Sequence, residues 1–272
     1  TLFLANEQLQ RMKLQSLSCY QQFIDLRANT LAKKFRDLHD KACALAVAES
    51  KSPIVDACVE RASAAQSEFL TWPELKLGQL INDIATEVNQ QAQSLAEQCV
   101  RETGLGVEAD KVLKIYLGTI EVAASLNRVD DQPIQLNAPG VETITMPIGV
   151  VFGMIPVTNP VETIAFKVLS CLKARNAMIV SSHRKARNVG DRTVDIIRTV
   201  LKRHGAPADL VQTPELAANR KLTQAFMTHE KVNFILATGG PSMVQSAYRS
   251  GTPAIGVGKG NAPVWINDDV DM

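Results

Sequence analysis

From about residue 140 onward, short apolar runs rich in β-branched residues alternate with segments of helical spacing. The runs fall at 149–155, 177–180, 210–212, 232–236 and 254–257, and helices are expected between them at 161–173, 188–203, 216–228 and 241–249. Short connections that each hold one helix leave successive strands parallel, joined by right-handed crossovers. The expected fold class is α/β, a doubly wound parallel sheet preceded by a helical N-terminal region. Such sheets take ligands at the carboxyl ends of their strands, where loops meet helix N-termini. Candidate chemistry is therefore sought after each strand.

The N-terminal part has a different texture. Residues 1–127 hold few Gly or Pro and read as helices. Phe23, Leu26, Leu31, Phe35 and Leu38 recur at helical spacing, as do Leu80, Ile81, Ile84, Val88, Ala92 and Leu95. Pro73 is expected at the first position of a helix that runs on to Thr103-Gly104. With 272 residues the chain has length for about two domains. Hydrophobic residues make up 46%, enough to bury a core and exclude wholesale disorder. A net charge of +1 argues against a nucleic-acid binder, which needs excess cations to displace counterions. The uncharged run 143–161 approaches the roughly 20 residues of a membrane helix. Pro147, Gly149, Gly153, Pro156 and Pro160 interrupt it, so it reads as strands and a loop. The five cysteines show no CxxC spacing, so neither a metal site nor a disulfide framework is expected, and a reducing compartment fits.

After the first strand stands Pro156-Val157-Thr158-Asn159-Pro160-Val161-Glu162. Asn159 suits an N-cap, Pro160 the first helical position and Glu162 the closing residue of a capping box. The same Thr158 hydroxyl or Asn159 amide, at a strand end, could instead donate to an oxyanion in carbonyl chemistry. After the second strand, Ser181-Ser182-His183-Arg184-Lys185-Ala186-Arg187 offers a histidine and three cations, either a phosphate site or a solvated basic loop. After the fourth, Thr238-Gly239-Gly240-Pro241 allows close backbone approach to a ligand at a helix start, or is a turn. Gly256-Val257-Gly258-Lys259-Gly260-Asn261 is glycine-rich, but the next segment, 262–266, reads as a strand. It therefore lacks the helix of a dinucleotide fingerprint.

These motifs, in this order and together with Arg101-Glu102-Thr103-Gly104-Leu105-Gly106 and Gly205-Ala206-Pro207, resemble the aldehyde dehydrogenase superfamily. More narrowly they resemble its CoA-acylating acetaldehyde dehydrogenases, including the N-terminal half of the bifunctional aldehyde-alcohol dehydrogenases. The likeness spans roughly residues 61–272. It implies a Rossmann-like sheet at 141–272 that binds NAD, a helical N-terminal part of the enzyme at 61–140, and a helical extension at 1–60. It also implies an oxidoreductase whose cysteine thiolate takes up a small aldehyde, with NAD accepting hydride and coenzyme A accepting the acyl group. Asn159, or Thr158 beside it, is the implied catalytic donor. Pro156, Val157, Ser181, His183, Thr238, Gly239, Gly240 and Gly258 are the implied cofactor contacts, with no metal.

Departures from the family pattern carry information. Hydrolytic members place a glutamate where this chain has Val257, and valine cannot activate water, which favours transfer to CoA. Relatives carry prolines where Ser182 and Arg184 stand. The family's nucleophilic cysteine lies a few tens of residues beyond the 256–263 motif, so this chain is expected to be an N-terminal portion, inactive alone. All five cysteines are expected to be structural, Cys171 as a buried thiol. The resemblance implies a homo-oligomer in the cytoplasm, or in the lumen of a bacterial microcompartment, with no nucleic-acid or membrane partner. The alternative is a non-catalytic nucleotide-binding or scaffold module.

Overall fold

The structure is a computed structural model that describes residues 52–129, 134–138, 141–216, 218–257 and 263–265. All fall within one compact unit, Ser50–Met272. The helical repeat expected at 23–38 lies outside the described residues.

The helical part comprises α1 (Pro53–Phe69), α2 (Glu74–Gln90), α3 (Ala92–Thr103), α4 (Glu108–Tyr116), a π-helical turn Leu117–Glu121, and α5 (Val122–Leu126). A two-stranded antiparallel pair, β1 (Ile134–Ala138) and β2 (Val141–Ile144), comes next. Then come β3 (Val150–Ile155), α6 (Pro160–Lys173), β4 (Ala177–Ser182), α7 (Arg187–Arg203) and β5 (Val211–Gln212). The described chain continues through α8 (Arg220–Met227), β6 (Phe234–Thr238), α9 (Pro241–Tyr248) and β7 (Ala254–Val257).

The five later strands form one parallel sheet in the order β5-β4-β3-β6-β7. The chain starts at the centre, steps outward twice, then returns to the other side of β3. With right-handed crossovers, that reversal puts α6 and α7 on one face and α8 and α9 on the other. It also opens a crevice between the carboxyl ends of β3 and β6, the topological switch point. The expected doubly wound α/β sheet is therefore present.

Burial explains the strand composition. Every residue of β3 and β4 is buried, so both read as continuous apolar runs rather than alternating ones. Gly153 leaves room for the end of the Met178 side chain from the neighbouring strand, which a Cβ there would displace. Side-chain amides anchor the strand starts. Asn176 Oδ1 accepts from the amides of Ile148 and Gly149 at 2.7 and 2.8 Å, and Asn233 Oδ1 accepts from Val150 N at 2.9 Å.

Two expectations are corrected. The helix expected from Pro73 to Thr103 is two helices, broken at Gln91 (φ −97, ψ 11). The break turns the α2 stripe Leu77, Leu80, Ile81, Ile84 and Val88, and the α3 stripe Leu95, Ala96 and Cys99, into the core. Arg192 of α7 holds the bend by donating to Gln98 Oε1 (3.0 Å), Gln91 Oε1 (3.2 Å) and Ser94 Oγ (2.9 Å). Pro73 itself is the N-cap, and the helix starts at Glu74. The strand expected at 262–266 is not formed at the described residues 263–265. The end of α3 matches expectation, with Gly104 left-handed at φ 71.

Candidate functional site

The loop leaving β3 brings Pro156, Val157, Thr158 and Asn159 to the switch point. Asn159 is the N-cap of α6 and Pro160 its first residue, as the sequence predicts. The expected capping box does not close, because the Asn159 side chain bonds no helix amide. Turned so that its nitrogen faces acceptors, the amide donates to Thr158 O at 3.0 Å and to Glu162 Oε1 at 2.9 Å. Glu162 in turn accepts from its own backbone amide. Burial raises the pKa of this carboxyl above the usual range, although its own amide, Lys111 and Lys114 pull it down. A donor amide and a partly buried carboxyl thus sit together at the end of the central strand.

A buried ammonium braces the loop. Lys111 is 2% exposed, and its Nζ donates to Thr158 O at 2.8 Å. Its aliphatic stem passes Gly106, where φ is +82 and a Cβ would stand 3.1 Å from Lys111 Cε. The sequence reading missed Lys111. Its signal was position: one helical turn before the buried Ile115.

Lys167, also missed, ties the two sides of the crevice. This α6 residue is 4% exposed and donates to Met154 O of β3 at 2.8 Å and Leu236 O of β6 at 2.9 Å. Burial pushes its pKa down to about 8, opposed by Cys171 one turn along. Here too the signal was a lysine inside an apolar stripe, between Ile164 and Cys171.

At the end of β4, Ser181 and Ser182 are buried, and Ser182 Oγ is the one buried side-chain polar atom without a hydrogen bond among the described residues. Both line a shallow depression with Arg187, Asp191 and Thr213 that has room for little more than a water. Arg187 is committed to Asp191 at 3.0 Å and to the carbonyls of Pro214 and Glu215 at 2.9 and 3.0 Å. His183 is exposed, and its Nδ1 caps a short 3-10 turn by accepting from Lys185 N at 3.2 Å. The first amides of α7 are already occupied: Glu102 accepts from Asn188 N at 3.0 Å and Val189 N at 2.8 Å. A phosphate at that helix start would compete with this carboxylate.

At the end of β6, Thr238 is partly buried, and Gly239 and Gly240 are exposed. Gly240 caps α9, with Pro241 at its first position. A Cβ on Gly240 would meet nothing within 4 Å, so its backbone faces open space. At the end of β7, Val257 is 61% exposed. Gly258 lies outside the described residues.

The described cysteines have structural environments. Burial raises the thiol pKa of Cys58 to about 11 and of Cys171 to about 12, and raises that of Cys99. None is poised as a thiolate. Cys19 and Cys43 lie outside the described residues. No metal-ligand cluster is found among the described residues, and no described helix is long and apolar enough to cross a membrane.

A parallel sheet ordered about a switch point, with helices between its strands, defines a doubly wound α/β domain of the Rossmann-like type. The chain belongs to the aldehyde dehydrogenase family, whose profile matches residues 30–272. It is 36% identical over 223 residues to the bifunctional aldehyde-alcohol dehydrogenase AdhE of Escherichia coli (strain K12), covering 80% of this chain and 25% of that protein. An acetylating aldehyde dehydrogenase from Geobacillus thermoglucosidasius superimposes with a TM-score of 0.74 at 34% identity, over 84% of this chain and 49% of that one. Rhodopseudomonas palustris propionaldehyde dehydrogenase with bound propionyl-CoA gives 0.68 at 32% identity, over 76% and 46%. The chain thus spans a quarter of the E. coli relative and about half of each solved structure.

Proposed function

We propose that the polypeptide carrying this chain interconverts a small aldehyde and its acyl-CoA, with NAD as hydride carrier. In this reading 141–272 form the NAD-binding part, 61–140 the helical N-terminal part of the enzyme and 1–60 a helical extension. The relatives named above, one of them with propionyl-CoA bound, support acyl transfer. The observation that carries transfer over hydrolysis is Val257. It stands exposed at the end of β7, the family resemblance sets it where hydrolytic members carry a glutamate, and a valine cannot take a proton from water.

The residues present fit a dinucleotide. Gly240 leaves open space where its backbone could approach a phosphate, and Ser182 Oγ is a buried hydroxyl without a partner. The contacts we assign are Pro156, Val157, Ser181, His183, Thr238, Gly239, Gly240 and Gly258. NAD held there supplies a hydride acceptor. Asn159, with Thr158 beside it, donates to the oxygen of the reacting carbonyl. Lys111 fixes the loop that carries both, through Thr158 O, and Lys167 fixes the spacing of β3 and β6. The nucleophile is none of Cys58, Cys99 or Cys171. The enzyme is further proposed to be a homo-oligomer of the cytoplasm or of a microcompartment lumen.

The test is product analysis of the polypeptide that carries these residues. With a small aldehyde, NAD and CoA, NADH and acyl-CoA are expected in equal amounts, with little free acid. Free acid as the main product would overturn the acylating reading. The three buried thiols favour a second reading, a non-catalytic nucleotide-binding module. Dinucleotide binding without any NADH formation would select it.

A further inference from the structure

We propose that Glu162 is a positioning residue for the carbonyl donor: it keeps the Asn159 amide out of the helix cap and holds its nitrogen ready for substrate. This rests on the reading of Asn159 given above and deepens it.

An asparagine at an N-cap ordinarily turns its side-chain oxygen onto the second or third helix amide. Asn159 precedes α6, and the third amide is that of Glu162. In this chain that amide already has an acceptor, the Glu162 carboxylate itself. The Asn159 side chain accordingly bonds no helix amide. Its nitrogen instead donates to Thr158 O at 3.0 Å and to Glu162 Oε1 at 2.9 Å. The reverse orientation would set the amide oxygen against those same two acceptors, in exchange for one 3.5 Å contact from Lys114 Nζ. One carboxylate thus takes the cap's place and fixes which end of the Asn159 amide is presented. Presented oxygen-first, the amide would repel a developing oxyanion, and nitrogen-first it stabilises one.

The fold seats the carboxyl for this. The π-helical turn Leu117–Glu121 lies directly against the start of α6. A Cβ on Gly118 would stand 2.8 Å from Glu162 Cβ and 2.9 Å from Glu162 O, so any larger residue would push the turn off α6. Single π-turns inside helices are frequent at functional sites. Lys111 and Lys114 offset part of the cost of burying the Glu162 charge. Lys111 also fixes the amide's other acceptor, donating to Thr158 O at 2.8 Å. An entering carbonyl oxygen takes over from Glu162 Oε1, while Thr158 O keeps its hold on the second N–H.

A double-mutant cycle in the polypeptide that carries these residues tests this, read as kcat for acyl-CoA formation. Glu162→Ala is expected to lower kcat by about tenfold or more. Glu162→Gln is expected to lower it by less than about threefold, because a glutamine oxygen can accept both bonds. In the Asn159→Ala background, Glu162→Ala should cost less than about twofold, since no amide is left to position. A full tenfold loss there would show that Glu162 acts independently of Asn159 and would overturn the proposal. So would a Glu162→Gln variant no better than Glu162→Ala. A crystal structure of the Glu162→Ala chain gives a readout that needs no activity. The Asn159 side chain should swing to within about 3.0 Å of the amide at position 162. The thermal midpoint should not fall, because the helix gains a side-chain cap as it loses the carboxylate. An Asn159 side chain that stays on Thr158 O would overturn the positioning role. A parent polypeptide that makes no acyl-CoA would overturn the function proposed above, and the crystal structure would then still decide whether Glu162 holds Asn159 out of the cap.

Discussion

Replacing Asn159 by alanine is expected to lower the turnover for acyl-CoA formation by about 10²–10³-fold, the usual loss when one oxyanion donor is removed. Asn159 sits at the end of the central strand, and a buried lysine holds the loop behind it. Its amide needs only to exchange Glu162 Oε1, now 2.9 Å away, for the oxygen of a reacting carbonyl. The effect should fall on kcat, with the dissociation constant of the dinucleotide within about twofold of the parent value. Steady-state kinetics beside dinucleotide titration checks both halves. An equal fall in dinucleotide affinity would mean that Asn159 serves only to shape the loop.

The second large effect is a pH dependence. Lys167 has a folded-state pKa of about 8 against an ordinary 10.5, because burial penalises its charge. Between those values the unfolded chain binds the proton that the folded chain has released. Stability contributed by this group therefore rises with pH through that window, by about 3 kcal/mol in all. About 1 kcal/mol of that rise falls between pH 8 and 9. The buried thiols act in the opposite sense. Cys58 and Cys171 have folded-state pKa values raised to about 11 and 12 from 9, so their stabilisation is present below pH 9 and lost as pH rises through those values. Denaturant melts of the parent and of Lys167→Met between pH 8 and 9 isolate the lysine. The parent should gain stability relative to the variant across that unit, and a flat difference would show that Lys167 stays charged throughout.

Much of the sheet was legible because its strands obey one constraint. Strands buried on both faces must be apolar throughout, and helices between parallel strands must be amphipathic, so the two periods separate along the chain. β3, α6, β4 and α7 fall where that contrast is sharp. Legibility failed where a long-range contact decides. The bend at Gln91 depends on Arg192, about a hundred residues away in sequence and on another helix. The start of β6 is delayed to Phe234 as Asn233 turns its side chain to Val150 N.

At the site, the loop residues were legible and their supports were not. Asn159 and Gly240 announce themselves as a cap before proline and a glycine opening a helix. Lys111 and Lys167 look like ordinary helix lysines until the fold buries their ammonium groups against carbonyls of other elements. Glu102 reads as the last turn of α3, and only packing brings it to the start of α7.

The central claim is that a dinucleotide lies across the switch point of this sheet. A crystal structure of the chain with NAD or NADP tests it most directly. The account predicts density for the dinucleotide across the carboxyl ends of β3, β4 and β6, with the adenosine beside Ser182 and the nicotinamide half near Asn159 and Gly240. Ordered dinucleotide at any other surface, with that crevice empty, would contradict it.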